Sequence, residues 1–539
     1  MELKPQDIIH RYEKLKAARG VLTTHWQELA DYNIPRKNNF IRIGTPGEKK
    51  GVELYDSTSM VSCDILSSAL HGMLTNPNSL WFMLGVDNEE LNQNEFVVEY
   101  LQELTRRLHG IMNNSNFQTE VHEFYLDLCA FGTAVMTIEE DEKNIVRFST
   151  KHLNDIYIKE NFLGAVDTVY RCFKWDARQI VEAFGKELAD APLEKLEAKF
   201  GRRVAMAYKN NTTEEFEIVH CVYNDDMSQL ALPFYSTYVL VCEKIELKSG
   251  RFKRLPYIVS RWTKVSGEVY GRSPAMNALP EAKTLNVMAK TVIKGAQKVV
   301  DPPMQMPDDG FVRPLRTAPG SVNYYRAGTQ DLVKPIFNDT RIDFGIEIIR
   351  ERQAKVQQAF YIDRLNLQQN DRMTTIEVTQ RVQEQLRFMG PMLGRQQTEF
   401  LKPTIDRLLD IAVERDGGSG LVIGTPPPEI QNVELDVRYT SPVARAQRTS
   451  EAESLQQALA ASAPMLQLDP SAADIINPEM VVKENWSIYG APQKLLRKKA
   501  EIEAIRSARQ QAQQAALKQQ QQMAQSEMVN NVAPALPKQ

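Results

Sequence analysis

"GRSPAMNALPEAKTLNVMAKTVIKGAQKVVDPP", residues 271–303, reads as one long helix with a marked beginning and a marked end. Ser273 is a natural N-cap, and Pro274 suits the first helical position, where its missing N–H costs nothing. Pro280 kinks or restarts the rod. The helix must stop before Pro302, because a residue preceding proline is pushed out of the α region. Leu285, Met288, Val292, Ala296 and Val299 share one face at helical spacing. Lys283, Lys290, Lys294 and Lys298 fall on the opposite face. At 1.5 Å per residue, 273–300 would span roughly 40 Å. Such a helix is a strut.

The segment after the strut is dense in Pro and Gly. Residues 301–337, "DPPMQMPDDGFVRPLRTAPGSVNYYRAGTQDLVKPIF", are expected to form a small β-type lobe. A second long helix is predicted from near Asp339 to about Phe360. Ile342, Ile346, Ile349, Val356 and Phe360 make its apolar face, and Asp343, Glu347 and Glu351 lie opposite. The two helices therefore carry opposite charge on their outer faces. Within one chain, solvated faces with i,i+4 pairs such as Glu351–Lys355 account for this. In a ring of identical copies, the basic face of one strut could instead meet the acidic face of the next. Head-to-tail contacts of that kind close into rings when the rotation allows.

Upstream of the strut the texture is first helical, then β. Residues 6–32 read as an amphipathic helix, with Ile8, Ile9, Tyr12, Leu15 and Leu22 on a helical period. Asp56 and Ser57 can cap a helix through "MVSCDILSSALHGML". "LWFMLGV" reads as a buried strand, and helices are expected at about 94–113 and 116–131. From 133 to 264 short runs alternate with turn signals: "AVMTIEEDE", "IVRFST", "AVDTVYRCFKW", "EEFEIVHCVYN", "YVLVCEKIEL" and "YIVSRW". Helical inserts "ARQIVEAFG" and "LEKLEAKFG" interrupt them. Downstream of the second strut, "DRLNLQQNDRM" is a polar loop and "TTIE" at 374–377 has the form of a capping box. That box opens a helix to about Met389, broken or kinked at Gly390–Pro391 and resuming to about Arg415. "GTPPPEIQ" is a loop. From Gln447 the chain is largely helical, ending in a Gln/Ala-rich stretch that is either a solvated helix or disordered.

Composition narrows the class. A chain of 539 residues, 42% hydrophobic and 25% charged, is ordinary for a multidomain or modular globular protein. It has no apolar run of membrane-spanning length and no signal-peptide core at its start. The five cysteines, Cys63, Cys129, Cys172, Cys221 and Cys242, are scattered without a CxxC. They read as reduced, mostly buried thiols of an intracellular-type protein. The net charge of −4 argues against a tight grip on nucleic acid, since that usually comes from neutralising phosphates.

Catalytic signals are poor. "GTPGEKK" at 44–50 has the wrong glycine spacing for a phosphate loop and no Ser or Thr after its lysines. His122-Glu123 lacks a second histidine, and no GxSxG is present. "DD" at 308–309 and "EEDE" at 139–142 are candidate metal carboxylates, but both sit in turn-like contexts. No enzyme activity, catalytic residue, metal or cofactor is expected.

Four further strings carry a resemblance. They are "RYEKLKAARGVLTTHWQELADYNIP", "GEVYGRSPAMNALPEAKTLN", "DPPMQMPDDGF" and "PGSVNYYRAG". Together with the segment order, they resemble the head-to-tail connector (portal) proteins of short-tailed bacteriophages over about 5–500. The resemblance implies an α+β fold, predominantly helical with a β-rich portion in the wing. It places the wing at 1–272 and 362–445, stem helices at 273–300 and 339–361, and a clip at 301–338. A crown comes next at 446–510, then a Gln-rich polar tail at 511–539.

It also implies a twelve-subunit ring at one capsid vertex of the virion, assembled in the host bacterial cytoplasm. Double-stranded DNA would pass through it during packaging and ejection. The expected partners are terminase, then tail or adaptor proteins, with the major capsid and scaffolding proteins around the ring, and no membrane insertion. A channel loop at 365–373 would point Gln369, Asn370, Arg372 and Met373 at the DNA. Phe311, Arg313, Tyr324 and Tyr325 would lie on the clip's interaction surface, although the two tyrosines suit a packed lobe core equally well. The rival classes are a scaffolding protein, which the β-rich middle and the strut–lobe–strut order oppose, and a nuclease with an atypical site.

Overall fold

The computed structural model describes most of residues 3–300, together with 342–365, 390, 392–430, 435–440, 456–462, 477–488, 497 and 499–532, and the short pieces 304–305 and 334–335. It is mixed helix and antiparallel sheet, as the sequence predicts. The chain divides into two units, 1–443 and 444–539.

The N-terminal helix predicted over 6–32 is two helices, α1 (Pro5–Ala18) and α2 (Gly20–Asn33). Arg19, between them, is the reason. Its buried guanidinium donates to the carbonyls of Leu153, Asn154 and Ile156 and lies 3.8 Å from the Tyr157 ring centroid. A periodicity reading places an arginine in solvent and so runs the helix through it. Helix α3 (Thr58–Leu74) starts where Asp56 accepts the Thr58 N–H at 2.9 Å, while the Ser57 side chain makes no cap.

Strand β1 (Phe82–Val86) is buried as predicted. Its partner is distant, pairing antiparallel with β12 (Leu435–Tyr439), a strand the sequence reading missed. Helices α4 (Glu95–Asn114) and α5 (Phe117–Phe131) come after it.

The β-rich middle forms two antiparallel sheets. The smaller is ordered β3-β2-β9, from β2 (Thr133–Asp141), β3 (Ile145–Lys151) and β9 (Tyr257–Arg261). The larger is a meander of β4 (Ile156–Glu160), β5 (Val166–Asp176), β6 (Glu215–Asn224), β7 (Phe234–Leu240) and β8 (Ile245–Phe252). The run "YVLVCEKIEL" is thus not one strand. It turns at 241–244, where Lys244 takes a positive φ of 56° and its N–H bonds Leu240 O.

Alternation along β6 puts one set of side chains on each face of the meander. Phe216 and Ile218 pack beneath α6 (Ala177–Phe184), α7 (Leu193–Phe200) and α8 (Arg202–Lys209). Val219, Cys221 and Tyr223 pack with Ile8, Ile9 and Tyr12 of α1.

Helix α9 (Pro274–Val300) and helix α10 (Ile342–Ala359) are the two predicted struts, within three residues at each end. The chain beyond α9 returns on itself, since β10 (Met304–Gln305) pairs antiparallel with β11 (Lys334–Pro335). After the short helix α11 (Ile362–Leu365), the chain is next described at 390. A π-helical turn, Gln397–Leu401, then leads into α12 (Lys402–Asp416). Pro403 has no N–H to give the Glu399 carbonyl, which leaves the turn free to widen. The capping box at 374–377 and the helix predicted to Met389 lie outside the described residues.

In the second unit, 456–462, α13 (Pro478–Ile488) and α14 (Lys499–Val532) are helical. The Gln-rich stretch is therefore helix, the first of the two alternatives, and nearly all of its described side chains are exposed.

Candidate functional site: the two-helix strut

The root of α9 is fixed by a close approach of backbones. Gly132 ends α5 with φ +78°, and a Cβ there would lie 2.6 Å from Gly271 O. A Cβ on Gly271 would overlap the Gly132 carbonyl oxygen. With both positions bare, Gly271 N–H reaches Thr133 Oγ1 at 2.8 Å. Ser273 then acts as the predicted N-cap. Its Oγ accepts the Met276 N–H at 3.0 Å and donates to Ala130 O at 2.8 Å. Pro280 sits inside the helix without ending it.

Burial along α9 keeps to helical spacing and then stops. Ala275, Ala278, Leu279, Ala282, Leu285 and Ala289 are buried against α2, α3 and α5. Beyond Ala289 no residue of the helix is buried, and Val300 is 86% exposed. Helix α10 shows the converse gradient along its length, exposed at Phe344 (65%) and fully buried at Val356 and, just past its end, Phe360. The paired helices thus share one packed end and one solvated end.

Two contacts set the register of this pair. Gly345 lies under Val292, whose Cγ2 is 2.9 Å from where a Cβ on Gly345 would stand. Lower down, Arg352 Nη1 donates to both carboxylate oxygens of Glu281, at 3.0 and 2.7 Å. The loop before α3 closes one side. Asn286 accepts the Tyr55 N–H and donates to Glu53 O, and Gln353 donates to Asp56 at 2.8 Å.

The predicted charged residues differ in their surroundings. Lys283 is half-buried and pairs with Glu28 of α2 at 2.7 Å, so its charge is used within the chain. Lys290 is exposed, its ammonium 5.1 Å from the Tyr55 ring centroid. Lys294 and Lys298 are exposed, as are Asp343, Glu347 and Glu351. The anticipated Glu351–Lys355 pair is present at 2.9 Å. Gln369, Asn370, Arg372 and Met373, and the lobe residues Phe311, Arg313, Tyr324 and Tyr325, lie outside the described residues.

The sequence reading missed a second anchoring point. Arg261 on β9 is 3% exposed, and its guanidinium binds Glu160, Gly164 O and Glu399 of the π-helical turn, the last at 2.7 Å. Its backbone N–H also donates to Glu399, and Gln396 joins Ser260 Oγ to Arg261 O. This network clamps the chain that re-enters after 391 onto the smaller sheet. Nothing in the sequence flags it, because its carboxylates are more than a hundred residues away on either side.

His220 carries no sequence signal either. It is fully buried where the two sheets meet, with Tyr257 OH 2.6 Å from Nδ1 and Ser236 Oγ 2.8 Å from Nε2. The Tyr238 ring stacks on it at 3.8 Å. Burial, aided by the charges of Arg171 and Lys151, lowers its pKa to about 3.

Two of the candidate carboxylates, Glu140 and Asp141, are otherwise engaged. Glu140 pairs with Arg415, Asp141 accepts the Asn144 N–H, and Glu123 is held by Arg36 and Lys37. Lys50 of "GTPGEKK" donates to Arg36 O and the Asn39 side chain. Among the described residues, no group of three potential ligands converges on a metal position, and no helix is long and apolar enough to cross a membrane. Cys63, Cys129 and Cys221 are buried thiols, and Cys242 is an exposed one. Asp308 and Asp309 lie outside the described residues.

Residues 5–496 match the family described as bacteriophage head to tail connecting protein. The chain belongs to that family. This bears out the resemblance carried by the strings around the first strut. The connector is also 26% identical over 533 residues to the portal protein of Salmonella phage epsilon15, covering 96% of this chain and 93% of that protein. It is equally 26% identical over 527 residues to the probable portal protein of Bordetella phage BPP-1, covering 94% and 92%.

Proposed function

We propose that this connector is a portal: a ring of twelve copies at one vertex of the phage capsid, through which double-stranded DNA enters during packaging and leaves during ejection. The observation that carries the reading is the pair of long helices joined by a chain that returns on itself. Two paired helices are rooted in a packed body at one end and solvated at the other, with the chain between them returning on itself. In this reading α9 and α10 are the stem, 301–338 the clip, and 1–272 with 362–445 the wing. Residues 446–510 form the crown, and 511–539 a polar tail.

The stem holds the clip away from the body, where it docks the terminase motor and then tail or adaptor proteins through Phe311, Arg313, Tyr324 and Tyr325. Major capsid and scaffolding proteins surround the wing. The protein acts as a structural conduit, without catalysis or cofactor, in a particle assembled in the host bacterial cytoplasm.

The charge of −4 suits a conduit. A lysine-lined bore would release counterions from DNA and hold it. A few contacts repeated around a ring at one constriction brake slippage without trapping the duplex, and the loop 365–373 supplies them through Gln369, Asn370, Arg372 and Met373. The Arg261–Glu399 clamp supports this role by fixing the chain downstream of the loop onto the smaller sheet.

Negative-stain electron microscopy of the purified chain tests the ring. Open-centred, twelve-fold averages are expected, and particles that stay monomeric across salt and protein concentration overturn the reading. The loop is tested by Arg372→Ala in filled heads, where DNA retention should fall. Unchanged retention removes Arg372 from the role.

A further inference from the structure

Resting on the ring reading, we propose that neighbouring copies are joined stem to stem by two ion pairs, Lys294 to Asp343 and Lys290 to Glu347. The height at which these residues sit is what makes the assembly a closed ring instead of a helical fibre.

Antiparallel packing fixes the heights. Gly345 under Val292 puts those two residues level on the stem. Helix α9 runs outward and α10 runs back, so counting two residues outward on both reaches Lys294 and Asp343. Counting two inward reaches Lys290 and Glu347. Each helix rises about 1.5 Å per residue, so the members of each pair share one height.

They do not share a side. Leu285, Ala289 and Val292 turn toward the body and α10, which leaves Lys290 and Lys294 on the far side of α9. Gly345, Arg352 and Val356 turn toward α9 and the body, which leaves Asp343 and Glu347 on the far side of α10. One flank of the stem therefore carries Lys290 and Lys294, and the other carries Asp343 and Glu347 with exposed Arg350 about one turn further in. Among the described residues neither Lys294, Asp343 nor Glu347 has an ion-pair partner, and Lys290 has only the Tyr55 ring beside it. The occupant of each flank is a second copy of this chain, because each flank is the complement of the other.

A head-to-tail contact repeats indefinitely, and it closes only when one copy maps to the next by rotation without translation along the axis. A basic flank offset in height from the acidic one would add a rise at every step. Here the Gly345–Val292 contact keeps that offset small, so rotation about an axis parallel to the stem brings both pairs within reach at once. Exposed apolar side chains accompany the charges, Val287 (62% exposed) among the lysines and Phe344 at the border of the acidic flank.

The test uses full-length protein. Lys290→Glu with Lys294→Glu makes both flanks acidic, and Asp343→Lys with Glu347→Lys makes both basic. Each variant alone should lose about tenfold or more in ring yield at low salt, read by native mass and electron microscopy. Mixing the two variants should restore rings of alternating composition, and the fourfold variant should assemble by itself. All four positions are exposed, and the restored mixture shows that both variants fold. Wild-type rings together with unimpaired rings in both charge-reversed variants overturn this inference and leave the portal reading standing. Failure of the mixture and of the fourfold variant to assemble also overturns it. Absence of rings in the wild type overturns the portal reading itself.

Discussion

Arg352 on α10 sets one guanidinium nitrogen 3.0 and 2.7 Å from the two carboxylate oxygens of Glu281 on α9, tying the packed ends of the two strut helices together. Both side chains are about one third exposed, so the pair orients more than it stabilises. Arg352→Ala and Glu281→Ala should each lower the unfolding midpoint slightly. The double variant should be no worse than the poorer single one, and the coupling should shrink in high salt. Additive losses would show that the two residues act separately.

The outer contact is steric, and its replacement should cost more. A side chain on Gly345 must displace Val292. Gly345→Leu should destabilise the first unit by about 1–3 kcal/mol, the range for overfilling a packed site. Val292→Ala in the same chain should recover part of that loss. Thermal unfolding of the three variants reads both effects, and an unaltered midpoint in Gly345→Leu would mean that the helices are not in contact at this level.

At the root of α9 there is no side chain to yield. Gly271→Ala drives a methyl group into the Gly132 carbonyl, where only backbone movement relieves it. The expected penalty is about 3 kcal/mol, seen as a depressed unfolding midpoint and greater protease sensitivity near 271. Gly295→Ala, in the open solvated part of the same helix with no atom within 4 Å of the new Cβ, should be neutral or mildly stabilising, because alanine favours helix over glycine.

Acid should act through His220. Its folded pKa of about 3 lies below the ordinary value of 6.5, so the unfolded chain binds the extra proton between those limits. The stability of the neutral, buried ring is complete above pH 6.5 and is lost as pH falls toward 3. His220→Gln keeps a polar side chain near Ser236 and Tyr257 but removes the titration. It should flatten the stability–pH curve in that window while lowering stability at pH 7. Denaturant unfolding at pH 7, 6, 5 and 4 distinguishes the two, and equal slopes in both proteins would exclude His220 as the acid-sensitive group.

Much of this protein is written locally. Ser273, Pro274 and Pro302 bound the first strut, and the periods of Leu285 and Val356 choose the sides that the helices bury. Caps and periodicity are set by neighbours within four residues, so the sequence alone exposes them. The strut charges are also legible as opposite faces, but their fates are not. Lys283 belongs to Glu28, which is 255 positions away, and no spacing rule reaches that far.

Tertiary structure alone decided everything that depends on contacts between distant segments. Arg19 breaks a helix because three carbonyls from the 153–156 turn take its guanidinium. β1 finds β12 across some 350 residues, Arg261 gathers Glu160 and Glu399, and Gly345 meets Val292 to set the level of the charged flanks. The sequence by itself determined most of the helices and strands and which of their faces are apolar, because those preferences are satisfied within a turn or a pleat. Only the folded chain decided the register of one element against another, because register is chosen by interlocking shapes and buried charges that meet only once the elements are packed.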